Sequence, residues 1–453
     1  ITWNNIILIA LLMVVIGLLL YLVPLPRRRK EYCFHYLFSK LSKLYIAITF
    51  PTNRKLINPE GEDFKKPSII ISNHQSLIET PAFLRLHPKI LILTNDWVWN
   101  SPLFGPIARM ASFFNADHGL DLIMDKLQEK VNDGYSVLIF PEAHRSGDGN
   151  IQRFHRGAFY LAEKLNLDIL PVVVFGSGDF LGKNAIWGRP NPLIMKILPR
   201  ISVENTLYGQ TLSEKTRCVR KMYRLEYEKL KNAEATPHYY RKKLILNYVL
   251  KGPVLEWYLR VKMKLANNYE VFDQLIPKEG KIIDLGCGYG YISCMLMMTS
   301  DKRIITGVDY DEEKIRVAQN GFLINDRLSF VCDDIAEFPI STSSGFLLSD
   351  VLHYLTKEKQ EALLHKCIEN LDTGGIIVIR DADSANQLKH KSSKLTEFLS
   401  TRVIKFNKTA PENKTLTFTS AREIEEIAGE YGLGVEIIQE SIHTSNILMV
   451  IRK

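Results

Sequence analysis

The stretch IIDLGCGYGYIS, Ile282 to Ser293, decides how the second half of this chain folds. Ile282–Leu285 is a short apolar run bounded by a glycine turn, the form of a strand buried on both faces. Gly286, Gly288 and Gly290 alternate through the turn, where the backbone can adopt conformations that a Cβ resists. A helical stretch follows, and Asp309 ends the next apolar run 19 residues after Gly290. Strand, glycine turn, helix, strand and terminal acid make a βαβ unit of the nucleotide-binding type, with the acid placed for ribose hydroxyls. A nicotinamide dinucleotide would call for glycine at the sixth position from Gly286; Tyr291 stands there, so that fingerprint fails.

Working outward, the sequence predicts strands at Lys281–Leu285, Ile304–Val308, Ser329–Cys332, Gly345–Leu348 and Ile376–Ile379. Val435–Glu440 and Asn446–Ile451 close the chain as an antiparallel couple. The D-x-G-x-G-x-G pattern resembles the class I S-adenosylmethionine-dependent methyltransferases, across residues 271–453. The resemblance implies a Rossmann-like domain with a mostly parallel seven-stranded sheet and S-adenosyl-L-methionine as cofactor. It implies a cofactor site of Asp284, Gly286, Gly288, Gly290 and Asp309. Asp334 or its neighbour Asp333 would meet the adenine amino group, with Ile335 packing nearby and Asp350 following the fourth strand. His353 and Tyr354 are candidates to touch the methyl acceptor, with a helix-face role equally open; the acceptor itself is not readable.

Upstream, residues 31–205 alternate short apolar runs (Ser68–Ile71, Ile90–Leu93, Ser136–Phe140, Ile169–Phe175) with helical spacing such as Leu120–Val131, a second α/β pattern. The run Ile71 to Thr80, ISNHQSLIET, sets a histidine at the end of a buried strand and Glu79 five positions later. Ser72, Asn73 and Ser76 would serve as helix caps. On one straight helix His74 and Glu79 would stand about 140° apart. They can meet only with His74 in the strand-to-helix turn and Glu79 in the first helical turn. A carboxylate behind an imidazole fixes its tautomer and supports its charge as it takes a proton.

Three further stretches give the pair's own stretch a context. Asn73-His74-Gln75-Ser76-Leu77-Ile78-Glu79, Phe140-Pro141-Glu142-Ala143-His144-Arg145-Ser146, Phe154-His155-Arg156-Gly157-Ala158-Phe159 and Ile169-Leu170-Pro171-Val172-Val173 resemble, in order, the blocks of the lysophospholipid or glycerolipid acyltransferase family. The resemblance implies His74 as general base, Glu79 in the place of the usual aspartate, and Glu142, Arg145, Ser146 and Arg156 binding the acyl acceptor. The donor would be acyl-CoA or an acyl-carrier protein. Ala143-His144 replaces the usual Gly-Thr. The block Phe113–Asp117 lacks the arginine that holds an acceptor phosphate, which weakens the case for a glycerol phosphate. His144 and His155 read as surface residues; Trp97 and Trp99 read as packing or membrane-interface residues.

The remaining features concern placement. Ile6–Val23 is 18 apolar or neutral residues, followed by Pro24-Leu25-Pro26 and Arg27-Arg28-Arg29-Lys30. That length spans a bilayer core, and charge after the run puts the rest of the chain on the cytoplasmic side of the inner membrane. Between Lys215 and Lys264 there are 14 Lys and Arg against 4 Glu, a local +10 in a chain of net +8. Residues 206–270 thus read as a basic helical linker with breaks at Pro237 and Gly252-Pro253; beside an anchor its basic and aromatic residues suit anionic lipid, with a solvated linker face equally open. The anchor argues against nucleic acid as a partner. The six cysteines show no metal-ligand or disulfide spacing, and no metal is expected. The arrangement is similar to bacterial fusions in which a transporter domain precedes these two, associated with unusual lipids or polyene pigments. Two other readings stand beside the bifunctional enzyme: a catalytically altered first domain serving as a lipid-binding module, and an RNA methyltransferase.

Overall fold

The computed structural model describes residues 2–50, 54–147, 149–189, 191–249, 251–265, 268–382, 417–439 and 446–453. The chain divides into two compact units, Ile1–Glu234 and Ala235–Lys453, and each holds a seven-stranded sheet.

In the first unit the strands are β1 (Arg54–Ile57), β2 (Ile69–Ser72), β3 (Ile90–Thr94), β4 (Phe114–Asn115), β5 (Ser136–Ile139), β6 (Ile169–Phe175) and β7 (Leu193–Ile197). Their order is β1-β7-β6-β2-β5-β3-β4. The β6–β7 pair is antiparallel and the others are parallel. Central strands β2, β5 and β6 are buried at every residue, which is why they read as unbroken apolar runs. The four strands expected here lie within a residue of their expected ends. β1, β4 and β7 carry weaker signals: β1 is an edge with Arg54 and Lys55 exposed, and β4 is two residues long.

Two helices precede this sheet, α1 (Thr2–Leu22) and α2 (Arg27–Thr49). α1 is long and apolar enough to cross a membrane, and only 17% of its Asn4–Leu22 window is buried. Ala10 and Met13 turn inward, while Leu8, Leu11, Val15, Leu18 and Leu19 are exposed. α2 is tied to the unit by a buried Lys130–Glu31 ion pair at 2.5 Å.

Residues 206–270, expected as one linker, are divided between the units. The helix Leu212–Glu234 belongs to the first and buries Tyr223 and Tyr227. The helices Pro237–Tyr248 and Pro253–Leu265 belong to the second, where Tyr239, Tyr240 and Tyr248 are buried. Pro237 and Pro253 start these helices, where a missing N–H costs nothing. The aromatic residues assigned to a lipid-facing linker are therefore mostly core residues, and Trp257 is the large exposed one.

The second unit has β8 (Glu279–Leu285), β9 (Lys302–Asp309), β10 (Leu328–Cys332), β11 (Ser343–Ser349), β12 (Leu371–Ala382), β13 (Val435–Gln439) and β14 (Asn446–Arg452). The order is β10-β9-β8-β11-β12-β14-β13, parallel through β12 and antiparallel for β14 and β13. All seven match the expected runs. Building proceeds outward from β8 to β10, then restarts at β11 on its other side. A sheet that reverses in this way leaves a crevice at the carboxyl ends of the strands flanking the reversal.

Candidate active sites

In the first unit, His74 follows β2 and Glu79 is the first residue of α3 (Glu79–Leu84). His74 Nδ1 lies 2.6 Å from Glu79 Oε2. Glu79 is fully buried, and its oxygens also accept the N–H groups of Gln75 and Ser76 and the hydroxyl of Ser177. The turn is thus wrapped around one carboxylate. The expected serine and asparagine caps do other work. The cap position is Ile78, without a side-chain bond. Asn73 bridges the peptide of Val174, donating to its carbonyl and accepting its N–H at 2.8 Å each. Ser76 donates to the Leu181 carbonyl at 2.7 Å. Glu79 takes the N–H groups of Gln75 and Ser76 in the turn ahead of the helix, and Ser76 Oγ also accepts the Ile78 N–H at 3.3 Å.

His74 stacks on Phe140 with ring centroids 4.0 Å apart. With Nδ1 committed to Glu79, Nε2 is the nitrogen able to take a proton. The ring lines a cavity of about 390 Å³ whose walls include Phe104, Phe113, Ala143, His155 and, from α1, Met13. Glu142 is buried beneath the loop: one oxygen accepts the His74 N–H at 3.0 Å and the other the Gln152 N–H at 2.9 Å. Burial pushes its carboxyl up to about 7, against the pull of those two bonds. This geometry makes Glu142 a positioning residue for the His74 loop. Ser146 also braces it, its N–H donating to the His74 carbonyl at 2.8 Å. Arg145 is half-buried; burial lowers its pKa while the charge of Glu79 opposes. Arg156 is exposed and walls a different cavity. Ala143 has φ +62°, the left-handed region that glycine occupies without penalty.

In the second unit Asp284 ends near the glycine turn, 1% exposed, and accepts the Ser293 hydroxyl. Burial pushes its carboxyl up to about 7, and the charge of Asp309 adds to this. Asp309, at the end of β9, accepts the Gly288 N–H at 2.8 Å and the Asp311 N–H at 2.9 Å. Gly288, at φ +56°, has open space where a Cβ would stand, whereas a Cβ at Gly290 would sit 2.3 Å from the Phe330 ring. Gly290 is therefore required by packing, while at Gly288 only the left-handed backbone favours glycine. Asp333 is joined to β9 through its N–H to the Asp309 carbonyl at 3.1 Å. Asp334 stands 3.7 Å from Lys359, Ile335 is buried in the core, and Asp350 is ion-paired with Arg380. His353 follows β11 in a short 3₁₀ turn. Its Nδ1 lies 2.7 Å from Asp381 Oδ1, and its N–H donates to the other oxygen at 3.2 Å.

Residues 48–175 match the acyltransferase family, and residues 276–429 match a methyltransferase domain family. The chain carries both domains. The 1-acyl-sn-glycerol-3-phosphate acyltransferase of Cocos nucifera is 29% identical over 157 residues, covering 33% of this chain and 51% of that enzyme. The chloroplastic enzyme of that name from Arabidopsis thaliana is 28% identical over 169 residues, covering 34% and 44%. This chain thus spans about half the length of the curated relatives it matches. A solved 1-acyl-sn-glycerophosphate acyltransferase from Thermotoga maritima has a TM-score of 0.40 at 18% identity, covering 49% of this chain and 97% of that one.

In the acyltransferase domain the structure brings together His74, Glu79, Glu142, Arg145 and Ser146, and leaves Arg156 outside the lining of the cavity at His74. Sequence reasoning missed Ser177 and Phe140, which fix Glu79 and the His74 ring. It also missed Tyr223 and Tyr227, which accept and donate bonds behind the site: Tyr223 to the Ile71 carbonyl at 2.6 Å, and Tyr227 from the Gln75 amide at 3.0 Å. In the methyltransferase domain the expected residues lie in the last positions of β8 and β9 or just after β8, β10 and β11, at the carboxyl edge of the sheet. Asp381 was missed. Its signal was an acid ending β12, the strand beside the one that leads to His353.

Proposed function

We propose a membrane-anchored bifunctional enzyme that acylates a lipid hydroxyl, of the lysophospholipid type, and methylates a second acceptor. The carrying observation is the His74–Glu79 pair at the wall of an apolar cavity to which the uncovered helix α1 also contributes. An acyl chain suits that cavity, and a helix apolar on every side suits lipid. The activity named for the relatives supports a 1-acyl-glycerol-3-phosphate-type acceptor, and acyl-CoA or an acyl-carrier protein is the proposed donor. His74 Nε2 takes the proton of the acceptor hydroxyl as its oxygen bonds to the thioester carbonyl carbon. The tetrahedral intermediate collapses, the C–S bond breaks, and the imidazolium returns the proton to the leaving thiolate. Glu79 holds the tautomer and the charge through both steps.

The residues present fit S-adenosyl-L-methionine: the open side of Gly288 admits its methionine end, and Asp309 has lone pairs for ribose hydroxyls. When bound, this cofactor supplies an electrophilic methyl group. The chain's own part is to orient it through Asp309 and to hold His353 by Asp381 at the sheet's carboxyl edge. We propose the cytoplasmic face of the inner membrane as the location, from the Arg27–Lys30 cluster that follows α1.

The test uses the full chain in lipid nanodiscs with acyl-CoA and 1-acyl-glycerol 3-phosphate. Diacyl product from the native chain and its loss in His74→Ala support the reading; equal product from both defeats it. Calorimetric titration with S-adenosyl-L-methionine, native against Asp309→Ala, tests the second site by the same logic.

A further inference from the structure

A second cavity in the acyltransferase domain, of about 560 Å³, is walled by Arg153, Arg156, Arg217 and Arg220 with His155 and Thr216, and by no acidic residue. Two of the arginines come from the loop that enters the helix Gly157–Lys164, and two from the helix Leu212–Glu234. Arg217 and Arg220 lie outside every block that resembles the acyltransferase family. Nearby carboxylates bond elsewhere: Glu163 to Lys215 at 2.9 Å, and Glu214, which feels the charge of Arg217 without pairing with it, to the N–H groups of Gln210 and Thr211. Among the described residues no carboxylate forms an ion pair with any of the four arginines. Burial and the neighbouring Arg224 push Arg220 below its usual value, with Arg153 adding to this and Glu142 opposing. Four guanidiniums around one hollow repel one another unless an anion joins them, and their forked donors match a phosphate.

Two observations connect this cavity to the acyl-transfer site. His155 and Gly157 line both cavities, the apolar one beside His74 and the basic one. Arg220 donates to the Gln152 carbonyl at 2.8 Å, and the Gln152 N–H donates to Glu142, which also accepts the His74 N–H. The segment Phe113–Asp117, where the family would place a phosphate arginine, is instead acidic: Asn115 bonds Asp96, whose N–H is held by Asp117. That corner repels a phosphate. We infer that the arginine cavity binds the phosphate of an acyl-transfer substrate, either a lysophospholipid-type acceptor or a coenzyme A-type donor. The assignment rests on the acyltransferase reading above.

The experiment compares the native chain, Arg217→Gln, Arg153→Gln/Arg217→Gln and the helix-surface control Lys221→Gln, all in nanodiscs. Four substrates form two arms. The donor arm sets acyl-CoA against the acyl thioester of N-acetylcysteamine, which has no phosphate. The acceptor arm sets 1-acyl-glycerol 3-phosphate against monoacylglycerol. In one arm the KM of the phosphate-bearing member should rise about tenfold per arginine lost, with that of its phosphate-free partner unchanged; that arm identifies the source. No change in either arm, or an equal loss with phosphate-free substrates or in Lys221→Gln, overturns the inference. Calorimetry with inorganic pyrophosphate decides the matter if the native chain shows no acyl transfer, a result that would sink the acyltransferase reading alone. Binding by the native chain that is lost in the double variant keeps the anion site; no binding by the native chain removes it.

Discussion

His74 and His353 each commit Nδ1 to a carboxylate, at 2.6 and 2.7 Å, yet the two pairs are built differently. Glu79 is five residues from its histidine, and one strand-to-helix turn encloses both. Asp381 is 28 residues from His353, and the pair exists only because β11 and β12 are neighbours. Their surroundings differ as well. The His74 side chain is 15% exposed and faces a cavity. The His353 side chain is 4% exposed and its ring stacks on Phe418 at 5.3 Å. Similar bonds therefore stand in different settings: the first pair leaves an imidazole facing open space, as the proposed base requires, and the second ties two strand ends together in the interior. The contrast teaches that exposure and the neighbouring space, more than the bond itself, separate a reacting pair from a holding one.

The largest expected effect tests the first half of that contrast. His74→Ala should lower acyl transfer by about 10²–10⁴-fold and leave S-adenosyl-L-methionine affinity unchanged in calorimetry. His74→Ala/Glu79→Gln should be little worse, because residues acting as a unit are not additive; full additivity would separate the pair. Asp381→Ala addresses the other half. It strips a buried imidazole and a backbone N–H of their partner, which costs about 2–4 kcal/mol. The denaturation midpoint of the methyltransferase domain should fall with acyl transfer kept, and an unchanged midpoint would make the second pair a reacting one.

A smaller effect separates the two domains by pH. Asp284 has an ordinary value of 3.8 and stands at about 7 when folded. Between those limits the unfolded chain releases a proton that the folded chain keeps, so stability falls as pH rises through the window and levels off above it. Glu142, raised from 4.5 to about 7, acts with the same sign in the acyltransferase domain. Asp284→Asn should flatten the pH dependence of the methyltransferase midpoint between pH 4 and 7 relative to the native chain, leaving the acyltransferase midpoint as before. An identical pH slope in variant and native chain would show that Asp284 titrates normally. Ala143→Gly should give the smallest change, a gain of up to about 1 kcal/mol in the acyltransferase domain, since it relieves a left-handed alanine but frees the unfolded chain. A loss in urea titration would mean that the Ala143 methyl packs usefully against the cavity.

Legibility followed the range of the interactions. The glycine turn, the acids ending successive strands and the His74–Glu79 spacing were readable because each lies within one strand–turn–helix unit. The basic aromatic segment misled because composition does not say which way a side chain faces. Tyr223 and Tyr227, four residues apart on one helix face, pack behind the His74 loop, while Arg217 and Arg220 leave the same helix toward the arginine cavity. The plainer reading of Asn73 and Ser76 as helix caps missed their long-range partners for a related reason: these lie at Val174 and Leu181, about a hundred residues away.

By itself, then, the sequence determined two α/β domains, an apolar N-terminal helix, the strands of the second sheet, a histidine–carboxylate spacing in the first domain and a glycine-rich turn in the second. These are local patterns of burial period, turn chemistry and spacing, and each is set by the physics of a few consecutive residues. Tertiary structure alone decided that Asp381 reaches His353, that four arginines from two distant segments surround one hollow, and that α1 walls the cavity at His74. Each of these is a contact between elements far apart in the chain. Such a contact depends on strand order and helix packing across the whole domain, which no short window of residues encodes.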